Sequence, residues 1–364
     1  MQTKIEIDGT GFRINGRPTY AGRAYRGRSI EGLLFNSRMI QAVFDDECPE
    51  TRSLWAYPDT GLWDPERNTD EFCRMLPVYR AHGLLGVTVG LQGGGSVYTP
   101  AVYEKYRMSA FAPDGGLKPP YFERLRRIIS AADDAGMAVI VSYFYHVGLA
   151  RMRHDRGDPD AAEDRRVLSR AIEEATQWLL STGHQNILIE VVNESAPWCG
   201  PFLSPPSVHH AIEIVREITR DGRGLPVGAS TFARDWVPTE RWLAAEDFTL
   251  PHGNDCTPEE LRAKLRRIRD MQPYRERPRP LLINEDSVFL DNLEVAVEEY
   301  ASWGFYHQGY GSGYKDARRD WSGQPREGRF EDLSGYQTLP INWSINDPYK
   351  AAFFARLWEI TAGE

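Results

Sequence analysis

Residues 186–194 read NILIEVVNE, a run that after Asn186 is apolar apart from Glu190 until its last two positions and is rich in β-branched side chains. It is too short for a core helix and lacks the polar alternation of a half-solvated strand, so it reads as a strand covered on both faces. Seven further runs share this character: PTYAGRAY (18–25), LLGVTVGLQ (84–92), MAVIVSYFY (137–145), LPVGAST (225–231), DFTLPHG (247–253), RPLLINE (279–285) and WGFYHQG (303–309). With 186–194 as the fourth, they make eight.

Amphipathic stretches with readable ends lie between them. PPYFERLRRIISAADDAG starts on proline and stops at Gly136, and DRRVLSRAIEEATQWLLSTG ends at Gly183. SVHHAIEIVREITRDG runs from Ser207 to Gly222, placing His209 and His210 on a helix. TPEELRAKLRRIRDM offers Thr257 as cap with Glu260 three residues on, the spacing of a capping box, and DNLEVAVEEYASWG follows the seventh run. Strand and helix signals that alternate over the whole length require a parallel sheet with helical crossovers, and eight such strands predict closure into a (β/α)8 TIM barrel. The opening KIEIDGTGFRING predicts a short N-terminal β-hairpin bending at Asp8-Gly9. Residues 26–72 and 309–346 do not fit the repeat and are expected to be long strand-end loops on the substrate face. With no repeat, linker or low-complexity tract, residues 1–364 read as one catalytic domain. An open doubly wound sheet is disfavoured because no GxGxxG follows an early strand; LQGGGS (91–96) lacks that spacing.

Composition narrows the partners. The chain has 364 residues and a net charge of −9, so a nucleic acid would meet repulsion over most of the surface and a neutral substrate fits better. The aromatic share, 12% with ten Trp and seventeen Tyr, suits both a large core and the faces of sugars. No run approaches the roughly 18 apolar residues of a membrane span, and the N-terminus has no apolar leader region, so a cytoplasmic location is expected. Cys48, Cys73, Cys199 and Cys256 are scattered without CxxC spacing and read as free thiols. No cofactor is implied.

The chemistry lies in two strand-end carboxylates. ILIEVVNES puts Asn193-Glu194 where the fourth run stops, and PLLINEDS puts Glu285 at the end of the seventh. Parallel barrel strands end on one rim, so the two glutamates face a shared pocket. Glycoside hydrolysis needs such a pair, one to protonate the leaving oxygen and one to attack the anomeric carbon.

On these residues the chain resembles clan A of the glycoside hydrolases, close to the cellulase-like family 5. There the acid/base follows an Asn at the end of strand four and the nucleophile ends strand seven. The opening FRINGRPTYAGRAYRG also resembles the entry segment of these enzymes. The resemblance implies a retaining glycosidase acting on a carbohydrate, with Glu194 as acid/base and Glu285 as nucleophile. It implies that Asn193 binds the sugar 2-hydroxyl, that His252 stands beside the nucleophile, and that Trp303 forms an aromatic floor under the reactive sugar. His146 is expected on the same rim, and Trp198, four residues after the acid/base, is the preferred subsite among the tryptophans, over Trp55, Trp63, Trp236, Trp321 and Trp343. Two features depart from the family pattern. Glu285 lies between Asn284 and Asp286 rather than in a Gly-Glu-aromatic setting, and the family arginine has three candidates, Arg23, Arg26 and Arg38. Glu190 shares strand parity with Glu194 but lies deeper, and Asp286 points away as a supporting partner. The alternatives are a metal-dependent barrel, against which the absence of HxH counts, and a sugar-binding barrel without catalysis.

Overall fold

The computed structural model describes residues 2–93, 105, 108–232, 234–307, 329–332, 335–337 and 341–362. Six strands form a parallel sheet in the order Val227–Gly228, Ile187–Val192, Ala138–Phe144, Gly86–Gly90, Asn36–Arg38 and Gly304–Tyr306. Single parallel bridges complete the ring: Ser230 pairs with Leu250, Thr249 with Leu281, and Leu282 with Ser302. Eight staves therefore close a (β/α)8 barrel, the sixth and seventh reduced to short bridges at residues 249–250 and 281–282.

Helices Pro65–Ala81, Pro119–Ala135, Ala161–Ser181, Val208–Glu217, Glu240–Ala245, Pro258–Asp270, Asp291–Glu298 and Pro348–Ala362 surround it. Local chemistry sets several of their ends. Asp64 and Asp160 accept hydrogen bonds from the first free backbone N–H groups of their helices, and Thr257 with Glu260 forms the full capping box. Gly136 closes Pro119–Ala135 at φ 72°, in the left-handed region. The helix after Ser207 stops at Glu217, short of Gly222, because residues 220–223 turn back on themselves.

Two apolar layers result. The larger lies between staves and helices, and the smaller fills the lower end of the barrel with Leu34, Leu85, Ile140, Leu188, Phe248 and Leu282. The predicted hairpin, Ile5–Asp8 against Gly11–Ile14, plugs this end: Ile5 and Phe12 join the interior cluster, and Phe12 packs edge-on against Phe248. With the base sealed, the opposite rim, where the strands end, is left for a site.

The structure corrects the first strand. PTYAGRAY turns at Tyr20 and Gly22, and again at Arg26 just after it, all at positive φ, and its ends fall in two-residue antiparallel pieces. The first stave is Asn36–Arg38, inside the segment expected to be loop. Its polar side chains disguised it, because here the barrel interior is polar. Most of the expected loop at 309–346, and Trp321 within it, lie outside the described residues.

Candidate active site

Arg38, Glu194, His252 and Glu285 come from four different staves and converge at the rim. Arg38 ends the first strand, and its Nε lies 2.8 Å from Glu285 Oε2 while its Nη1 lies 3.4 Å from Glu190 Oε2. His252 is wholly buried. Its Nδ1 is 3.1 Å from Glu194 Oε1 and 3.5 Å from Glu285 Oε2, and its Nε2 is 3.7 Å from Glu190 Oε1. Asn254 donates through Nδ2 to Glu285 Oε1 at 2.8 Å. One oxygen of Glu194, one ring nitrogen of His252 and one oxygen of Glu285 all lie within 4.8 Å of one another.

Glu194 adopts a left-handed backbone, φ 54°. A side chain with a Cβ pays on the order of 1–2 kcal/mol there, and such positions persist where the surroundings hold them. Here the fifth stave does so: Glu194 N–H donates to Ser230 Oγ at 2.8 Å, and Ser195 N–H donates to Ser230 O at 2.9 Å. The turn takes the chain out of the strand immediately before the carboxylate.

The charges balance in pairs. Burial favours neutral His252, but Glu285, Glu190 and Glu194 outweigh it and raise the imidazole to about 9, so it is a cation at neutral pH. Burial likewise opposes Arg38, and Glu285 and Glu190 keep it charged. Burial pushes Glu190 up, yet the positive charges of Arg38 and His252 beside it hold it at about 2. Burial pushes Glu285 up to about 7, against His252 and Arg38 and with the help of Glu194 and Glu190. Two cations, Arg38 and His252, therefore face three carboxylates in one buried cluster.

A supporting layer fixes these groups. Lys264 Nζ donates to His252 O at 2.7 Å and Phe232 O at 3.1 Å, tying the sixth stave to the fifth. Asn292 Nδ2 donates to Gly253 O at 3.3 Å, to Cys256 O at 3.1 Å and to both oxygens of Asp286. Asp286 thus lies behind the site, as parity indicates, holding the loop that carries Asn254.

Other expected residues divide. Asn193 lies beside Glu194, nearly buried, and its Oδ1 finds no hydrogen-bond partner among the described residues. His146 begins helix His146–His154, where burial lowers its pKa and Glu194 opposes that shift. Trp198 is 49% exposed in the turn Pro197–Cys199. Trp303 is a correction. It is fully buried and packs on Phe353 with ring centroids 5.9 Å apart, in the helix layer. It precedes the strand Gly304–Tyr306 and faces outward, whereas Tyr306 brings its ring centre to 5.6 Å from the Arg38 guanidinium. Glu190, Asn254 and Tyr306 are site residues that sequence reading did not select. Parity alone pointed to Glu190, and nothing in the sequence marked Asn254.

No protein-family model matches the chain, and no curated protein matches it in sequence. Solved structures do match in shape. The endo-1,4-β-mannanase from Rhizomucor miehei aligns over 99% of both chains with a TM-score of 0.57 at 11% identity. The hyperthermostable endo-1,4-β-D-mannanase from Thermotoga petrophila RKU-1 aligns over 90% of this chain and 99% of its own, TM-score 0.54, at 12% identity. This chain has their fold. A glycoside hydrolase family 5 mannosidase from Rhizomucor miehei aligns over 99% and 98%, TM-score 0.53, again at 12% identity. Among the described residues, no helix is long and apolar enough to cross a membrane.

Proposed function

We propose that the chain is a retaining glycoside hydrolase that cleaves a β-glycosidic bond by double displacement, with Glu285 as nucleophile and Glu194 as acid/base. The observation that carries this reading is the approach of the two carboxylates to within 4.8 Å in one buried cluster. Retaining enzymes hold the pair about 5–5.5 Å apart, whereas inverting ones need about 6.5–9.5 Å to admit a water.

The donors distribute the roles. Arg38 Nε lies 2.8 Å from Glu285 Oε2 as an ion pair and Asn254 Nδ2 donates to its Oε1, so the protein's own partners gather on Glu285, as a nucleophile that must carry charge requires. Glu285 attacks the anomeric carbon while Glu194 gives its proton to the departing oxygen. Glu194, now ionised, takes a proton from water, which displaces Glu285 and releases the sugar with its configuration retained. Asn193 Oδ1 is free to accept from a sugar hydroxyl, and His146 is near enough to Glu194 to feel its charge. The shape-related mannanases make β-mannosides and the closely similar β-glucosides the first substrate class to test.

Glu194, His252 and Glu285 also have the spacing of a metal site. Their chemistry fits a metal poorly: His252 is held as a cation and Arg38 already occupies Glu285, whereas a metal needs a neutral imidazole and free carboxylates. The deciding experiment uses aryl β-mannosides and β-glucosides with wild type and Glu285→Ala. Turnover that survives EDTA, is lost in the variant and returns with azide as a glycosyl azide is the expected result. Activity abolished by EDTA, or a product of inverted configuration, would overturn the reading, and binding without turnover would favour a lectin-like barrel.

A further inference from the structure

The base of the barrel carries charge that the fold does not balance. An open cavity of about 450 Å³ lies there, lined by Ile7 of the hairpin, by Pro226 and by Arg216, Asp247, Arg277 and Arg279. Three guanidiniums thus meet one carboxylate, in a chain whose net charge is −9. Asp247 is shared loosely. Its Oδ1 is 3.7 Å from Arg216 Nε and 3.8 Å from Arg277 Nη1, too far for a hydrogen bond to either, and its Oδ2 accepts from Val227 N–H at 3.1 Å. Glu246, one residue before it, adds little: burial raises it to about 8, so it keeps its proton at neutral pH.

Backbone carbonyls hold the arginines from one side. Arg216 Nη1 donates to Ala245 O at 2.9 Å, Arg277 Nη2 to Ala244 O at 3.0 Å and to Glu246 O, and Arg279 Nη1 to Glu246 O at 2.9 Å. These carbonyls lie at the end of helix Glu240–Ala245, so the guanidiniums are fixed in direction without meeting a full negative charge. Arg279 is buried, and its pKa is lowered by that burial and by the charge of Arg277, against Glu246. Arg216 and Arg277 are 43% and 47% exposed, and the described residues give no hydrogen bond to Arg216 Nη2 or Arg277 Nη1. Cations crowded in this way, one of them desolvated, lose free energy that a bound anion restores.

We propose that this cavity binds a phosphate group, free or as the monoester of a small organic molecule. Phosphate carries close to two negative charges at neutral pH, which matches the excess of guanidiniums over ionised carboxylates here. Its oxygens accept from the planar forks of Arg216 and Arg277 on either side, a geometry that arginine suits better than lysine. The cavity is larger than the phosphate, and Ile7 and Pro226 give an apolar wall to an organic part. The site lies at the end of the barrel opposite Glu194 and Glu285 and stands apart from the glycosidase reading.

Calorimetric titration of the full chain with inorganic phosphate and with glucose 6-phosphate, in chloride buffer of constant ionic strength, tests the proposal. Saturable binding to one site is expected, weakened about tenfold by Arg216→Gln. Asp247→Asn is expected to tighten it, because the substitution removes the one opposing charge and keeps an oxygen for Val227 N–H. Tighter binding of glucose 6-phosphate identifies a phosphomonoester as the ligand, and affinity no better than that of inorganic phosphate identifies the phosphate group alone. Absence of binding by both, binding indifferent to Arg216→Gln, or no gain from Asp247→Asn overturns the site.

Discussion

The guanidinium of Arg38 bridges Glu285, 2.8 Å from its Nε, and Glu190, 3.4 Å from its Nη1, with all three side chains at most 5% exposed. One cation thus serves two buried carboxylates, and His252 lies against the same two from another side. Removing it leaves charges with no solvent to stabilise them, a loss of about 3–5 kcal/mol. Arg38→Met is expected to lower the urea midpoint accordingly and to abolish turnover. Arg38→Lys keeps the charge but cannot span both oxygens, so it is expected to fold and to lose most activity. A variant Arg38→Met as active as wild type would place Arg38 outside the mechanism.

The acid limb of kcat/KM follows the ionisation of Glu285. That carboxyl is raised by burial to about 7, so activity is expected to climb as pH rises through about 7. His252 pulls the value down, and replacing its cation with the neutral amide of His252→Gln should move the limb upward by about one unit or more. A pH profile of the aryl glycoside reaction checks both the position and the direction.

Gly253 has room for hydrogen only. A Cβ there would sit 1.9 Å from Asp286 Oδ2 and 2.8 Å from its Cγ, and Asn292 pins that carboxyl in place. Gly253→Ala is expected to cost about 1–3 kcal/mol through overpacking. It should also slow turnover, since Asn254, the next residue, donates to Glu285. Thermal melts and single-turnover rates separate the two effects.

Glu246 offers a pH test away from the pocket. Buried beneath the sixth stave, it accepts from Trp242 Nε1 at 2.8 Å and Thr249 Oγ1 at 2.6 Å, and burial raises it from 4.5 to about 8. A raised carboxyl favours the folded state in its protonated form. Its contribution is therefore complete below about pH 4.5 and is lost as pH rises toward about 8. Glu246→Gln imitates the neutral form, so the melting temperature of the variant minus that of wild type should grow from pH 5 to pH 8. A difference independent of pH would refute this account.

Several parts of this protein were legible from residue order because their causes are local. Alternating apolar runs and capped amphipathic stretches announced the barrel, and the Thr257–Glu260 capping box and the Asp8-Gly9 bend appear where their side chains demand them. Strand parity separated Asp286 from Glu285. The first stave was illegible for a physical reason. Asn36 and Arg38 point into a polar barrel interior, so the run lacks the apolar signature, while PTYAGRAY has that signature but turns on positive-φ residues. Trp303 failed by one pleat, since a strand's register decides which way a side chain faces and the run alone does not set it.

By itself, then, the sequence determined the periodicities, the caps, the placement of Asn193-Glu194 and Glu285 at strand ends, and hence the barrel. Only the tertiary structure decided that Arg38, Glu190, His252 and Asn254 share the space around those two glutamates, and which of three candidate arginines lies there. Closing the ring brings together residues far apart in the chain, such as Arg38 with Glu285 and Asn36 with Gly304. Their charge balance depends on distances and burial, and those exist only once the staves have met.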